Sequence, residues 1–109
     1  DQGKRPQMGS TATGLADLTI VSTDNPRSED PLAIIAEIEP GARHGGGEFV
    51  IEADRGAAIG IAVRAAAPGD VVIVAGKGHE PYQELMGRRV PFDDREVARE
   101  HLNALRESV

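Results

Sequence analysis

The sequence has no cysteine and few aromatic or basic residues. Its 109 residues contain no Cys, one Tyr and two Phe, and they include 12 Lys and Arg against 18 Asp and Glu. The lack of cysteine excludes disulfides, thiolate metal sites and cysteine nucleophiles. The net charge of −6 argues against a general nucleic-acid or anionic-membrane surface, because such a surface needs a basic field.

Long apolar segments are missing as well. The longest apolar runs, residues 32–36 and 71–75, fall far below the roughly 20 residues that span a bilayer, and no secretory signal opens the chain. We therefore expect no nucleic-acid or membrane partner and a cytoplasmic location, which the absence of cysteine fits. Because the chain begins at Asp1 without an initiator Met, we expect a single domain that is either a processed chain or a piece cut from a longer protein.

Apolar runs and helical patterns alternate along the chain. Strands are predicted over residues 18–23, 49–51 and 71–75, the last being continuous, as in a strand buried on both faces. Helices are predicted within residues 5–15, from Asp30 to a stop at Pro40 and Gly41, from Asp54 to a stop at Pro68 and Gly69, and from Asp93 onward. A surface loop is expected over residues 41–47 and a hairpin around residues 86–88. This order predicts an α/β fold with right-handed crossovers.

The first of two unusual clusters, Asp24-Asn25-Pro26-Arg27, follows the first predicted strand. Ligands of open α/β sheets gather beyond the carboxyl ends of strands. Pro26 stiffens the turn and holds Arg27 at the rim, where a guanidinium suits two-pronged capture of a carboxylate or phosphate. The alternative is an ordinary turn whose Arg27 pairs with Glu29 or Asp30.

The second cluster, Gly76-Lys77-Gly78-His79-Glu80, follows the third predicted strand. Its glycines let backbone groups approach a ligand closely, and it places Lys77, His79 and Glu80 at one mouth. Neither nucleotide-binding spacing fits, because the first Walker glycine would fall at Val71 and the third Rossmann glycine at Pro81. The alternative is a glycine turn with solvated charges.

The sequence predicts no catalytic residue and no metal site. His79 has no Ser, Cys or paired carboxylate beside it at a recognised spacing. The three histidines also lack metal-ligand spacing.

Several segments together resemble the C-terminal domain of the Mur ligases, most closely the MurE type. They follow the family's order across nearly the whole chain, and the two clusters above are the most specific. The others are Gly3-Lys4-Arg5-Pro6 with Met8-Gly9, Ala16-Asp17, Glu29-Asp30-Pro31, Asp54-Arg55, Pro68-Gly69-Asp70, Gln83 and Phe92-Asp93-Asp94-Arg95.

The resemblance implies a Rossmann-like, mostly parallel sheet with flanking helices and a short C-terminal hairpin, lacking an N-terminal strand. It implies part of an ATP-dependent, ADP-forming amide ligase of peptidoglycan synthesis that adds an amino acid to UDP-MurNAc-L-Ala-D-Glu through an acyl phosphate. On this resemblance, residues 1–109 form the C-terminal domain that binds the incoming amino acid. The first cluster is the form associated with meso-diaminopimelate.

The residues that match the family's amino-acid pocket are Asp24, Asn25, Pro26, Arg27, Gly76 and Glu80. Arg27 would contact the distal carboxylate of diaminopimelate, while Glu80 and the backbone of Gly76 would contact its distal ammonium. In relatives, an Arg comes just before the residue that matches Asp1, and this sequence does not include that Arg. ATP and Mg²⁺ are expected to bind mainly to domains outside this chain, so we expect the fragment to be inactive and its open sheet edge to favour self-association. The alternatives are another ligase of the superfamily, such as one extending folate with glutamate, or a non-catalytic binding module.

Overall fold

The structure is a computed structural model that describes residues 2–77 and 79–107. Asp1 and Gly78, the latter within the second cluster, lie outside the described residues. After a 3-10 turn at Gln2–Lys4, the elements are α1 (Arg5–Leu15), β1 (Leu18–Val21), α2 (Pro31–Gly45), β2 (Glu48–Ile51), α3 (Arg55–Ala65), β3 (Tyr82–Leu85), β4 (Arg88–Pro91) and α4 (Asp94–Glu107). In the part of the chain described, no helix has the length and apolar character needed to cross a membrane.

The strands form two pairs. β1 and β2 are parallel, in a register that sets Leu18 beside Glu48 and Val21 beside Ile51. β3 and β4 form an antiparallel hairpin whose turn, Met86 and Gly87, has positive φ at both residues, the geometry that matches the twist of hairpin strands. The α/β class, the parallel pairing with flanking helices and the C-terminal hairpin are therefore confirmed.

Aspartate side chains begin three of the helices, as the sequence predicts. Asp30 Oδ1 accepts a hydrogen bond from Leu32 N at 3.0 Å, and Asp54 Oδ2 accepts one from Ala57 N at 3.0 Å. Asp93 Oδ1 accepts one from the backbone N of Arg95 at 2.9 Å. Each bond satisfies an amide that has no partner within its own helix.

α2 continues through Pro40 and Gly41, so the predicted stop there and the predicted loop over residues 41–47 are wrong. The reason is tertiary packing against α1. A Cβ placed on Gly41 would lie 1.7 Å from the carbonyl oxygen of Pro6, so the two helix backbones touch at this position. Thr13 Oγ1 also donates to Ala42 O at 2.8 Å. These contacts outweigh the hydrogen bond lost at Pro40, and α2 ends only at Gly46, whose φ is +87°.

The main core lies between α2 and the parallel pair. Its buried members are Val21, Ile35 and Ala42, and half-buried Ile38, Phe49 and Ala53 pack against them.

Residues 71–75 do not form the buried strand that the sequence predicts. No strand includes them in the described part of the chain, and Val71 and Ile73 are 84% and 83% exposed. β1 pairs only with β2, so no described strand lies against this segment. A continuous apolar run predicts a segment that is buried on both faces, but the segment is buried only where other elements of the fold pack against it.

Candidate functional site

The first cluster is bound to the hairpin by backbone and amide groups. Gln83 Nε2 donates to Asp24 O at 2.8 Å, and Glu84 N donates to Asn25 Oδ1 at 2.6 Å. Pro26 is buried between these contacts and Arg27. The turn is thus held by a second element, as well as by its own proline.

Arg27 has a left-handed backbone, with φ of +60°. Non-glycine residues adopt this conformation at an energetic cost, and such strain is concentrated at functional sites. Two hydrogen bonds to the hairpin hold it: Arg27 N donates to Glu84 O at 2.6 Å, and Gly87 N donates to Arg27 O at 3.3 Å. The side chain is exposed, and within residues 2–77 and 79–107 its guanidinium has no hydrogen-bond or ion-pair partner.

The acidic neighbours that could have paired with Arg27 are used elsewhere. Glu29 forms an ion pair with Arg5 at 2.8 Å, and the side chain of Asp30 caps α2. Hydrogen bonds from Arg5 to Glu29, the larger cause, and to Glu37 raise the pKa of Arg5. Both glutamates are therefore already paired with a cation. Among the described residues, Arg27 thus forms no pair with Glu29 or Asp30, the alternative that the sequence left open.

Gly76 brings the two clusters into contact. Its φ is +102°, and a Cβ placed on it would lie 3.3 Å from Cβ and 3.6 Å from Oδ2 of Asp24. A glycine is needed here both for its backbone conformation and for the close approach.

Glu80 lies beside the first cluster, although the segment that precedes it forms no strand. Asn25 Nδ2 donates to Glu80 Oε1 at 3.3 Å. Glu80 is half-buried, and its Oε2 has no hydrogen-bond partner among the described residues. Asn25 thereby orients one carboxylate oxygen and leaves the other available. Among the described residues, the site thus combines the Arg27 guanidinium, which has no partner, with the Glu80 carboxylate, which has one oxygen without a hydrogen bond.

Lys77 does not face this site, contrary to the prediction that it lies at the mouth with His79 and Glu80. It is 4% exposed, and its Nζ donates to the carbonyl oxygens of Glu80 and, at 2.7 Å, Phe92. The ammonium also lies 5.6 Å from the centre of the Phe92 ring. Lys77 therefore supports the backbone that carries Glu80.

Sequence reasoning missed a second buried cation, Arg55, together with Asp94. Nε and Nη2 of Arg55 donate to the two carboxylate oxygens of Asp94 at 2.8 and 2.7 Å. Nη1 donates to Thr23 O at 2.9 Å, and Nη2 donates to Ala75 O at 3.1 Å. One local signal was present: Arg55 is the first residue of α3, and the positive end of the helix dipole disfavours a cation there.

Within the residues that the structure describes, no group of three or more His, Asp or Glu side chains could hold a metal ion. The sequence also lacks the Walker spacing of a phosphate loop. Asp93 belongs to its helix cap, where the side-chain hydrogen bond from Arg95 lowers the pKa of Asp93. The polar groups of the site thus suit a small zwitterion, with a carboxylate at Arg27 and an ammonium at Glu80.

Comparison with known proteins finds relatives that share one name, two of which follow. The chain is 53% identical over 98 residues to the UDP-N-acetylmuramoyl-L-alanyl-D-glutamate--2,6-diaminopimelate ligase of Prochlorococcus marinus (strain MIT 9313), an alignment covering 90% of this chain and 19% of that protein. It is 51% identical over 104 residues to the ligase of the same name from Streptomyces coelicolor, covering 92% of this chain and 21% of the relative. The chain therefore spans about a fifth of the length of the curated relatives it matches.

A solved structure and a family signature agree with these relatives. A structure of UDP-N-acetylmuramoyl-L-alanyl-D-glutamate--2,6-diaminopimelate ligase superposes with a TM-score of 0.89 at 42% identity, covering 97% of this chain and 22% of that one. Residues 1–78 match the family described as "Mur ligase, glutamate ligase domain". Since the match includes more than half of the chain, the chain belongs to the Mur ligase family and corresponds to the family's C-terminal domain, the glutamate ligase domain.

Proposed function

We propose that this chain is the amino-acid-binding part of a ligase that adds meso-diaminopimelate to UDP-MurNAc-L-Ala-D-Glu in peptidoglycan synthesis. The complete protein under this proposal is called the parent ligase below. The names of the relatives supply the reaction class. The observation that carries the proposal is Arg27, exposed and with a guanidinium that has no partner among the described residues, two positions after Asn25, whose side chain binds Glu80.

The distal centre of diaminopimelate carries a carboxylate and an ammonium, and each finds a complementary group in this site. Arg27 offers two parallel N–H donors to the carboxylate. Glu80 offers its free oxygen to the ammonium, and the carbonyl of Gly76 offers a second acceptor. Asn25 keeps Glu80 in place and adds a polar group. Lysine has the ammonium but no distal carboxylate, so it would leave Arg27 without its partner.

We assign ATP and Mg²⁺ to other domains of the parent ligase. The sequence lacks the Walker spacing, and the described residues offer no metal-binding group. ADP formation is assigned to those domains too, and we expect the 109-residue chain to have no ligase activity alone. The cytoplasmic location belongs to the same proposal, supported by the absence of cysteine.

Self-association of the isolated chain is a further part of the proposal. The apolar segment at residues 71–75 is exposed, and β1 has a hydrogen-bonding edge that no described strand covers. Such edges favour pairing with a second copy.

The test compares Arg27→Ala and Arg27→Lys in the parent ligase, with amide formation measured for meso-diaminopimelate, L-lysine and L-glutamate. Loss of a charge-assisted two-pronged contact costs about 1.5–3 kcal/mol, so we expect KM for diaminopimelate to rise by about 10- to 100-fold in Arg27→Ala. Arg27→Lys should recover part of the loss, since a point charge remains.

The matched control is Arg43→Ala, which removes another exposed arginine, one that pairs with Glu39 on α2. It should leave KM for diaminopimelate unchanged. A wild-type enzyme that prefers lysine or glutamate would refute the proposed substrate, and an unchanged preference in Arg27→Ala would refute the role of Arg27.

A further inference from the structure

Arg55 binds the backbone just before each of the two clusters that form the site, residues 24–27 and 76–80. It is 6% exposed and its partner Asp94 is 8% exposed. The carbonyls that its guanidinium binds belong to Thr23 and Ala75. These residues directly precede Asp24 and Gly76, the first residues of the two clusters.

The backbone does not otherwise join the two segments at this point. Between residues 18–24 and 71–76, the described part of the chain contains no backbone–backbone hydrogen bond. Nη1 and Nη2 are fixed in one planar group, so the two carbonyls that they bind are held at a set spacing. On its other side, the guanidinium donates two hydrogen bonds to the Asp94 carboxylate, at 2.8 and 2.7 Å, and these bonds fix the orientation of the guanidinium.

Stability alone is a weak reason for such an arrangement. Buried ion pairs often stabilise a fold no more than well-packed apolar residues of similar volume. Arg55 also stands at the N-terminus of α3, where the helix dipole is unfavourable for a cation. The useful property of this pair is its geometry: one rigid group bonds to α4 and to the origins of both site loops.

We propose that Arg55, held by Asp94, is a positioning residue that sets the spacing between Arg27 and Glu80 and so determines affinity for the incoming amino acid. This inference rests on the proposed function of the site. Arg55 touches no substrate; it acts through the two loop origins. A lysine in its place keeps the charge, but its single ammonium cannot bind the carboxylate in two-pronged fashion and hold both carbonyls at the same spacing.

The experiment measures KM separately for the amino acid, ATP and the UDP-linked substrate in the parent ligase. Wild type is compared with Arg55→Lys, Asp94→Asn and the control Arg64→Lys, which makes the same change at an exposed position of α3. We expect KM for the amino acid to rise about tenfold in Arg55→Lys, as small misplacements of binding groups do. Asp94→Asn should give a smaller rise, because Arg55 keeps its carbonyl contacts. The other two KM values and kcat should stay within about twofold in every variant.

A second measurement tests whether Arg55 acts through Arg27. In an Arg27→Ala background, Arg55→Lys should raise KM for the amino acid by clearly less than it does alone, because the group being positioned is gone. Equal rises in both backgrounds, a parallel change in all three KM values, or an unchanged amino-acid KM in Asp94→Asn would each overturn the inference. Asp94→Asn keeps the test decisive if Arg55→Lys fails to fold.

The measurement uses whichever amino acid the wild-type parent ligase incorporates. If that amino acid is not diaminopimelate, the proposed substrate fails, while the change in KM still decides the role of Arg55.

Discussion

Replacement of Gly76 by alanine tests whether contact between the two clusters sets amino-acid affinity. The variant forces φ of +102° on a residue with a Cβ, and it places that Cβ 3.3 Å from Cβ of Asp24. The backbone conformation costs about 1–2 kcal/mol. Carbon atoms prefer about 3.5–4.0 Å, so Asp24 must shift by a few tenths of an ångström.

That shift reaches the recognition groups through Asn25, the next residue. Asn25 Nδ2 is already 3.3 Å from Glu80 Oε1, beyond the usual limit of about 3.2 Å. A further shift breaks this bond and frees the Glu80 carboxylate to turn. Bonds to charged groups contribute about 1.5–3 kcal/mol, and the length of this one places it near 1 kcal/mol. We therefore expect about a fivefold rise in KM for diaminopimelate in the parent ligase.

Gly69→Ala is the matched control, because Gly69 has φ of +94° and no atom within 4 Å of a Cβ placed on it. It carries a similar backbone strain at the other end of segment 71–75 without crowding Asp24. Both variants should lower the unfolding temperature slightly, but only Gly76→Ala should change KM. Equal KM values in the two folded variants would refute the idea that contact with Asp24 matters.

Two further predictions concern the edges of the domain. The hydrogen bond from Arg95 lowers the pKa of Asp93, so the carboxylate stabilises the start of α4 above its unfolded pKa of about 3.9 and loses that effect as pH falls through the lower folded pKa. At about pH 7, Asp93→Asn should therefore speed amide hydrogen exchange at the start of α4 relative to the wild-type parent ligase. The ratio of the variant's exchange rate to the wild-type rate should approach one in acid, and a ratio independent of pH would contradict this. The isolated 109-residue chain should show concentration-dependent self-association by light scattering, which Ile73→Lys should abolish, and a monomeric wild-type chain would contradict this.

Local chemistry is what the sequence predicts well. The caps Asp30 and Asp54 and the hairpin turn at Met86 and Gly87 are confirmed, because each depends on residues within a few positions of one another. In the sequence, Asn25 and Glu80 follow two separate apolar runs, and ligands of α/β sheets gather beyond the carboxyl ends of strands. The structure brings the two side chains together, with Asn25 Nδ2 donating to Glu80 Oε1, although 55 residues separate them and residues 71–75 form no strand.

The failures have non-local causes. α2 passes through Pro40 because its neighbour Gly41 packs on the backbone of α1, and the local rule for proline contains no term for that contact. The role of Arg55 depends on Asp94, 39 residues away. The residues around Arg55 do not indicate that it binds Asp94, and those around Asp94 do not indicate that it binds Arg55.

The basic residues of the two clusters show why residue type alone does not assign a role. Lys77 and Arg27 each follow a predicted strand, and the sequence places both where ligands of α/β sheets gather. Lys77 is buried, and backbone carbonyls use its ammonium, whereas Arg27 is exposed and its backbone strain is sustained by the hairpin. A cation that already has acceptors gains little from binding a substrate carboxylate, while an unpaired one gains the full contact. Affinity for an anion should therefore follow the partners already present around each cation, and the net charge of −6 has little bearing on it.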